Sequence, residues 1–153
     1  MLVKQLLTMK ESSGKPGMAA ATIVTIKPGQ TLADAVQLLS DLRIGAVVVS
    51  EDGRTPAGIL SERDIVRQLG KGGADVLSTP ISEVMTTSVQ TCTTGEDALT
   101  ILERMTEGRF RHLPVVDQDG HMLGVVSIGD AVSGRLKELA AEKEALTGMI
   151  MGS

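Results

Sequence analysis

The chain has one Phe, no Trp and no Tyr among 153 residues, and a single Cys. Recognition that stacks bases on rows of aromatic side chains, or cages a cation between aromatic walls, cannot be built from Phe110 alone. A flat ligand would have to be gripped between aliphatic side chains. Cys92 by itself makes no intramolecular disulfide and no structural zinc site, and it reads as a small, half-buried apolar residue beside a strand. His112 and His121, the only histidines, add no metal-ligand spacing. Apolar runs such as Ala46-Val47-Val48-Val49 fall far short of the roughly 18 residues that a membrane span needs. Met1 to Lys10 is too short and too polar for the apolar core of a secretory signal. A cytoplasmic protein away from membranes is the expectation. Basic residues are outnumbered 15 to 19, for a net charge of −4, which argues against a broad footprint on a nucleic-acid backbone. Phosphate-loop spacing and a Gly-x-Ser-x-Gly elbow are missing too, so enzyme chemistry has no visible carrier.

What is present is repetition. Thr31-Leu32-Ala33-Asp34-Ala35-Val36 returns as Thr94-Gly95-Glu96-Asp97-Ala98-Leu99, 63 positions later. Gly58-Ile59-Leu60-Ser61-Glu62-Arg63-Asp64 returns as Gly124-Val125-Val126-Ser127-Ile128-Gly129-Asp130, 66 positions later. Between them lie matched apolar runs and the turn pairs Asp52-Gly53 and Asp119-Gly120. Each unit reads as strand, helix, strand, turn, strand, helix. The first strands are expected in 22–26 and 88–91, from β-branched residues, and the first helices around Ala35–Leu42 and Ala98–Met105, from apolar spacing. A unit of roughly 60 residues is marginal alone, so the two should pack as one pseudo-symmetric module.

The expected divisions are a leading helix and flexible linker (1–22), a first repeat (23–70), a linker (71–80), a second repeat (81–136) and a helical tail (137–153). Ser12-Ser13-Gly14-Lys15-Pro16-Gly17 and Gly70-Lys71-Gly72-Gly73 look flexible. Pro80 suits the first turn of a short helix running to about Met85. Val132, Leu136, Leu139, Leu146 and Ile150 form one stripe, interrupted by Lys143. Such a stripe either caps the chain's own core or makes a seam with a second chain.

Ser61-x-x-Asp64 and Ser127-x-x-Asp130 sit where a strand ends and a helix begins. A hydroxyl followed three positions later by a carboxylate is a helix-capping arrangement, and Thr31-x-x-Asp34 and Thr94-x-x-Asp97 show the same spacing. A free helix N-terminus and a hydroxyl also suit a phosphate, so both roles stay open. Arg109-Phe110-Arg111-His112 concentrates cations on an acidic chain, and guanidinium forks match phosphate geometry. The first unit lacks that cluster: Ile44 and Gly45 stand at the matching places. Arg63 supplies a cation inside the first Ser-x-x-Asp, where Gly129 stands in the second. His121 reads as an exposed turn residue.

The two Gly-h-h-Ser-x-x-Asp elements (h for an apolar residue), with Arg111-His112-Leu113-Pro114-Val115-Val116-Asp117, resemble a pair of CBS domains, the Bateman module. The similarity runs from about Val3 to Leu136. It implies an α/β (α+β) fold of two βαββα repeats packed sheet to sheet with two clefts, here with helical extensions at both ends. It implies a regulatory module, not an enzyme, that takes an adenosine compound such as AMP, ATP or NAD, requires no cofactor, forms a homodimer and acts on a downstream protein. By that resemblance Asp64 and Asp130 would accept bonds from ribose hydroxyls, and Ser61 and Ser127 would touch ribose or phosphate. Arg63, Arg111 and His112 would hold phosphates, and aliphatic residues of the type of Ile23, Val89 and Leu113 would line the adenine. The alternative is a ligand-free homodimerising adaptor, in which Ser-x-x-Asp is only a cap.

Overall fold

The computed structural model describes residues 1–12 and 23–151. Helix α1 (Val3–Ser12) leads. The first unit follows as β1 (Thr25–Ile26), α2 (Leu32–Leu42), β2 (Ala46–Val49), β3 (Gly58–Ser61) and α3 (Glu62–Gly72). The second comprises α4 (Ala98–Gly108), β4 (His112–Val116), β5 (Met122–Ser127) and α5 (Ile128–Met151). β1 lies parallel to β2, and β2 antiparallel to β3; β4 and β5 form the second, antiparallel sheet. The strand expected over 88–91 does not form. Its place is taken by a single parallel bridge from Cys92 to Val115, held by hydrogen bonds from Cys92 N to Pro114 O and from Val116 N to Cys92 O, both 2.9 Å.

The strand pairs reveal one constant register. Ala46↔Ser61 recurs as His112↔Ser127 and Val49↔Gly58 as Val115↔Gly124, each 66 positions on. The first helices obey it too: Thr31 caps α2 and Asp97 caps α4, again 66 apart. The expected offset of 63 at those helices is therefore corrected. Thr94-x-x-Asp97 matched Thr31-x-x-Asp34 only because Asp97 is itself the cap, accepting from Leu99 N at 2.7 Å and Thr100 N at 3.3 Å. In the true register the counterparts of Arg111 and His112 are Gly45 and Ala46, not Ile44 and Gly45.

Each core is closed by a segment from elsewhere in the chain. Ile81, Val84 and Met85 pack on the first core, around Ile26, Leu32, Leu39, Val47 and Leu60. Val3, Leu6 and Leu7 pack on the second, around Ala98, Ile101, Met105, Leu113 and Val126. The anchors are equivalent: Ile81 N donates to Gln30 O and Val3 N to Glu96 O, both at 2.8 Å. Gly58 and Gly124 admit these segments, since a Cβ would lie 2.5 Å from Met85 Sδ in one and 2.8 Å from Leu7 Cδ2 in the other.

The Gly70–Gly73 stretch is not a coil. α3 continues to Gly72, Gly73 turns the chain with φ 66°, and a 3-10 turn spans Gly73–Ser78. Another 3-10 turn, Ile81–Glu83, replaces the expected short helix. The other glycine-rich connector, residues 13–17, lies outside the described residues, as does Thr22. At the far end, the second repeat's last helix and the expected tail are one continuous helix, α5. None of the described helices is long and apolar enough to cross a membrane.

The two Asp-Gly turns close the hairpins with Gly53 at φ 75° and Gly120 at φ 80°, a region open to glycine at no steric cost. Asp52 accepts from Arg54 N and Thr55 N, both at 2.8 Å, and these bonds hold its carboxyl well below the usual range. Asp117 accepts from His121 N at 3.0 Å and Asp119 N at 2.9 Å and is likewise lowered. The turns meet where Arg54 Nη2 lies 3.5 Å from His121 Nδ1 and Met122 N donates to Arg54 O. His121, expected as an exposed turn residue, is half-buried and joins the two units.

Candidate functional site

The turn from β3 into α3 is a completed capping box. Ser61 is extended at φ −108° and ψ 161°. Its N–H donates to Asp64 Oδ2 at 2.9 Å, its hydroxyl donates to the same oxygen at 3.0 Å, and Asp64 N donates to Ser61 Oγ at 3.3 Å. Ser127 and Asp130 repeat the box, with Ser127 N to Asp130 Oδ2 at 2.8 Å and Asp130 N to Ser127 Oγ at 3.1 Å. Thr31 and Asp34 make a third. Capping therefore explains all three spacings, and surroundings must separate a ligand-binding box from a structural one.

The Ser61 box opens on a cleft of about 730 Å³ that both units build. From the first unit come Gly45, Ala46, Ile59, Ser61, Arg63, Asp64 and Arg67; from the second come Arg104, Arg109, Phe110, Arg111 and His112. Equivalent backbone bonds brace each wall from within its own unit: Glu62 N donates to Gly45 O at 2.9 Å, and Ile128 N to Arg111 O at 2.8 Å. Capping engages Asp64 Oδ2, while Oδ1 lies 3.9 Å from Arg67 Nη1.

Charge distinguishes this cleft from the rest of an acidic chain. Five arginines and a histidine line it, against the carboxylates of Glu62, Asp64 and Glu107. Arg104 is committed, donating to Glu96 Oε1 at 2.9 Å and to Thr91 O at 2.7 Å. Arg63, Arg109 and Arg111 bring three further guanidinium groups from both sides. Such clustering of one sign in a concave site raises the local concentration of anions.

Arg109 reaches the cleft through an unusual backbone. It caps α4 in the left-handed region, at φ 56° and ψ 36°, where glycine is the ordinary choice. Arg43 does the same at the end of α2, at φ 55° and ψ 46°. Gly108, just before Arg109, has no room for a side chain: a Cβ would lie 2.0 Å from Phe110 Cε1. The ring thus sits against the helix end, packs on the second core and lines the cleft. The sequence singled out Arg109 in the cationic cluster with Arg111 and His112 but gave it no role, and it missed Arg67 and Arg104 as lining residues. Arg67 was findable one helical turn beyond Arg63. Arg104 depends on how α4 meets the first unit, which no local pattern encodes.

Of the ten expected residues the cleft gathers Ser61, Arg63, Asp64, Arg111 and His112. Ser127 and Asp130 stand at the equivalent turn of the second unit, outside it. Ile23 and Val89, also equivalent, are half-buried and do not line it, although Val89 lies between the lining residues Ser88 and Gln90. Leu113 is corrected outright: at 0% exposure it belongs to the second core and has no face to offer a ligand. The apolar surface comes from Ile59 and Phe110 instead. Cys92, 1% exposed, fits the apolar role expected of it, and burial pushes its thiol up to about 12.

The CBS-domain family model matches residues 19–71 and 81–136. The Arabidopsis thaliana protein named CBS domain-containing protein CBSX3, mitochondrial, is 36% identical over 126 residues, 80% of this chain. The chain spans only 61% of that relative's length. Among solved structures, the CBS-domain containing protein ATU1752 from Agrobacterium tumefaciens has a TM-score of 0.76 at 35% identity, covering 88% of this chain and 99% of that one. The structure of CBSX2 in complex with AMP has a TM-score of 0.64 at 26% identity, covering 75% and 88%. Two matched repeats, a shared fold and identity over most of the chain agree: this protein belongs to the CBS-domain family, as a tandem pair.

Proposed function

We propose that the cleft binds an adenosine-containing nucleotide such as AMP, ATP or NAD, and that the chain is a regulatory module with no catalytic step of its own. The observation that carries this is the meeting of the Ser61–Asp64 box of one unit with Arg109, Arg111 and His112 of the other. In this reading Asp64 Oδ1 accepts from the ribose hydroxyls, because Oδ2 is engaged in the cap. Arg63, Arg109, Arg111 and His112 hold the phosphates, and Ile59 and Phe110 flank the base. The AMP complex of the similar CBSX2 supports an adenosine ligand. The second turn, Ser127–Asp130, is the weaker site, since Gly129 replaces Arg63 and Gly45-Ala46 replaces Arg111-His112.

A ligand held by both units favours the arrangement in which they grip it together, and unequal affinity for two arrangements is what a switch requires. The signal passes to a second copy of the chain and to a downstream protein. Thermal melts with AMP, ATP and NAD test the reading. A ligand at about 100 times its dissociation constant should stabilise the fold by roughly 2.7 kcal/mol. No shift with any of them at millimolar concentration overturns it, and Asp64→Ala should remove a shift that is seen. One observation favours an adaptor: the apolar stripe of α5 is exposed, with Leu136 at 61% and Leu146 at 60%. A dimer indifferent to every nucleotide is the outcome that reading expects.

A further inference from the structure

The strand missing before α4 has a cause in β4. In the first unit Thr25 pairs with Val48 and Ile26 with Val49, and Ser50 N donates to Ile26 O at 2.9 Å. In the second unit Cys92 pairs with Val115, and Val116 N donates to Cys92 O at 2.9 Å. These are the same rung, 66 positions apart. One rung earlier, the register of Thr25 with Val48 takes the N–H of Val48 to Val24 O. Its counterpart would run from residue 114 to Gln90 O. Residue 114 is proline, which has no N–H to give. Within sheets proline is confined to such unpaired edges.

The open rung lies on a span that crosses from one unit to the other at the cleft. Thr86 exchanges two hydrogen bonds of 3.0 Å with Ile59 of β3, and Cys92 is held to β4. Arg104 Nη2 donates to Thr91 O at 2.7 Å, and Val89 N to Thr87 O at 2.9 Å. Among the described residues, no group donates to the carbonyls of Ser88, Val89 and Gln90, and Ser88 and Gln90 line the cleft. Gln90 is exposed, so water can hold its carbonyl until a ligand donor displaces it. The span starts at Ile59, the residue that the proposed function sets against the base. A carbonyl there accepts a hydrogen bond and cannot donate one. It therefore favours a base whose edge carries an amino group over one that carries an oxygen. Adenine and hypoxanthine differ in this way at position 6.

We infer that Pro114 keeps the Gln90 rung open, and that the main-chain carbonyl of Gln90 selects the 6-amino group of adenine. Pro114 is buried in β4 and acts as a positioning residue, through Gln90. The inference rests on the nucleotide reading of the cleft and names the group that chooses the base. Calorimetry of the full chain with AMP against IMP, and with ATP against ITP, tests it. The adenine form of each pair should bind about tenfold more tightly. Pro114→Val installs the residue that the first unit carries and restores the N–H. In this variant the amide of residue 114 should be protected from hydrogen exchange, and most of the preference for adenine should be lost. Pro114→Ala supplies the same N–H should the larger side chain disturb the fold, which melts of the free variants report. Equal binding of the adenine and hypoxanthine forms by the wild type overturns the inference but leaves a nucleotide site standing. So does a freely exchanging amide at 114 in both folded variants, or a protected amide with the preference intact. A chain that binds none of the four, nor NAD, overturns the proposed function as well.

Discussion

The two units share a backbone and divide the chemistry. At a constant register they repeat the Ser-x-x-Asp capping boxes, left-handed arginine caps and the glycines that admit a covering segment, and one position out of register the Asp-Gly hairpin turns. At the centre of the module they differ: Gly45-Ala46 faces Arg111-His112, and Arg63 matches Gly129. What repeats is what each unit needs in order to fold. What does not repeat belongs to the cleft between the units, where a second set of guanidinium groups would crowd the first and the small residues leave room. Gly45 borders the second unit directly, since a Cβ there would be in ordinary contact with His112 Cε1 at 3.8 Å.

The largest test of the comparison lies in the cores. In register, Leu32, Ala35 and Leu39 of α2 match Ala98, Ile101 and Met105 of α4, so bulk has moved along the helix while each core stays filled. Ile101→Ala should cost about 2–5 kcal/mol in chemical denaturation. Ala35→Ile, its mirror, should cost about 1–3 kcal/mol through overpacking. Next comes the cleft. Arg111→Gly, which gives the second unit the first unit's residue, should weaken nucleotide binding by about 1.5–3 kcal/mol in calorimetry and leave the melting temperature of the free protein nearly unchanged.

Caps separate structure from binding. Ser61→Ala and Thr31→Ala should each lower stability by about 1 kcal/mol, but only Ser61→Ala should also reduce the nucleotide-induced thermal shift. Smaller again, Arg43→Gly and Arg109→Gly each relieve a left-handed residue and should change stability by up to about 1 kcal/mol in the favourable direction. Of the two, only Arg109→Gly should weaken binding. The smallest effect is the acid response of the turns. Asp52 and Asp117 both titrate below their unfolded range in the native state. Their contribution is therefore present above the unfolded value near pH 4 and lost as pH falls through the folded value. Asp52→Asn should flatten the acid limb of a pH–stability curve more than Asp117→Asn, because Asp52 also accepts from the Ser50 hydroxyl at 3.0 Å.

Local signals carried much of this. Ser61-x-x-Asp64 and Ser127-x-x-Asp130 marked strand-to-helix turns because a cap is satisfied within four residues. Asp-Gly marked the hairpins because the required φ is local. The helices were legible from apolar period, but the same local logic misled at Thr94-x-x-Asp97, where a familiar spacing concealed a cap three positions later. A strand over 88–91 was expected from β-branching, yet only Cys92 meets Val115. Leu113 looked available as an aliphatic lining residue, but β4 is buried from Leu113 to Val115 and Leu113 belongs to the second core.

The sequence by itself determined the duplication, most helices and strands, the Ser61 and Ser127 caps, the hairpin turns and the family, since all of these are written within a unit's length. Only the tertiary structure decided that the segment before each unit's strand–helix pair closes the other unit's core. It also decided that Arg109, Arg111 and His112 line one cleft with Ser61 and Asp64, and that Phe110 lines it while Leu113 does not. The physical reason is range. A cap or a turn is fixed by neighbours along the chain, whereas a cleft takes its walls from residues far apart in sequence, brought together by the burial of two apolar cores.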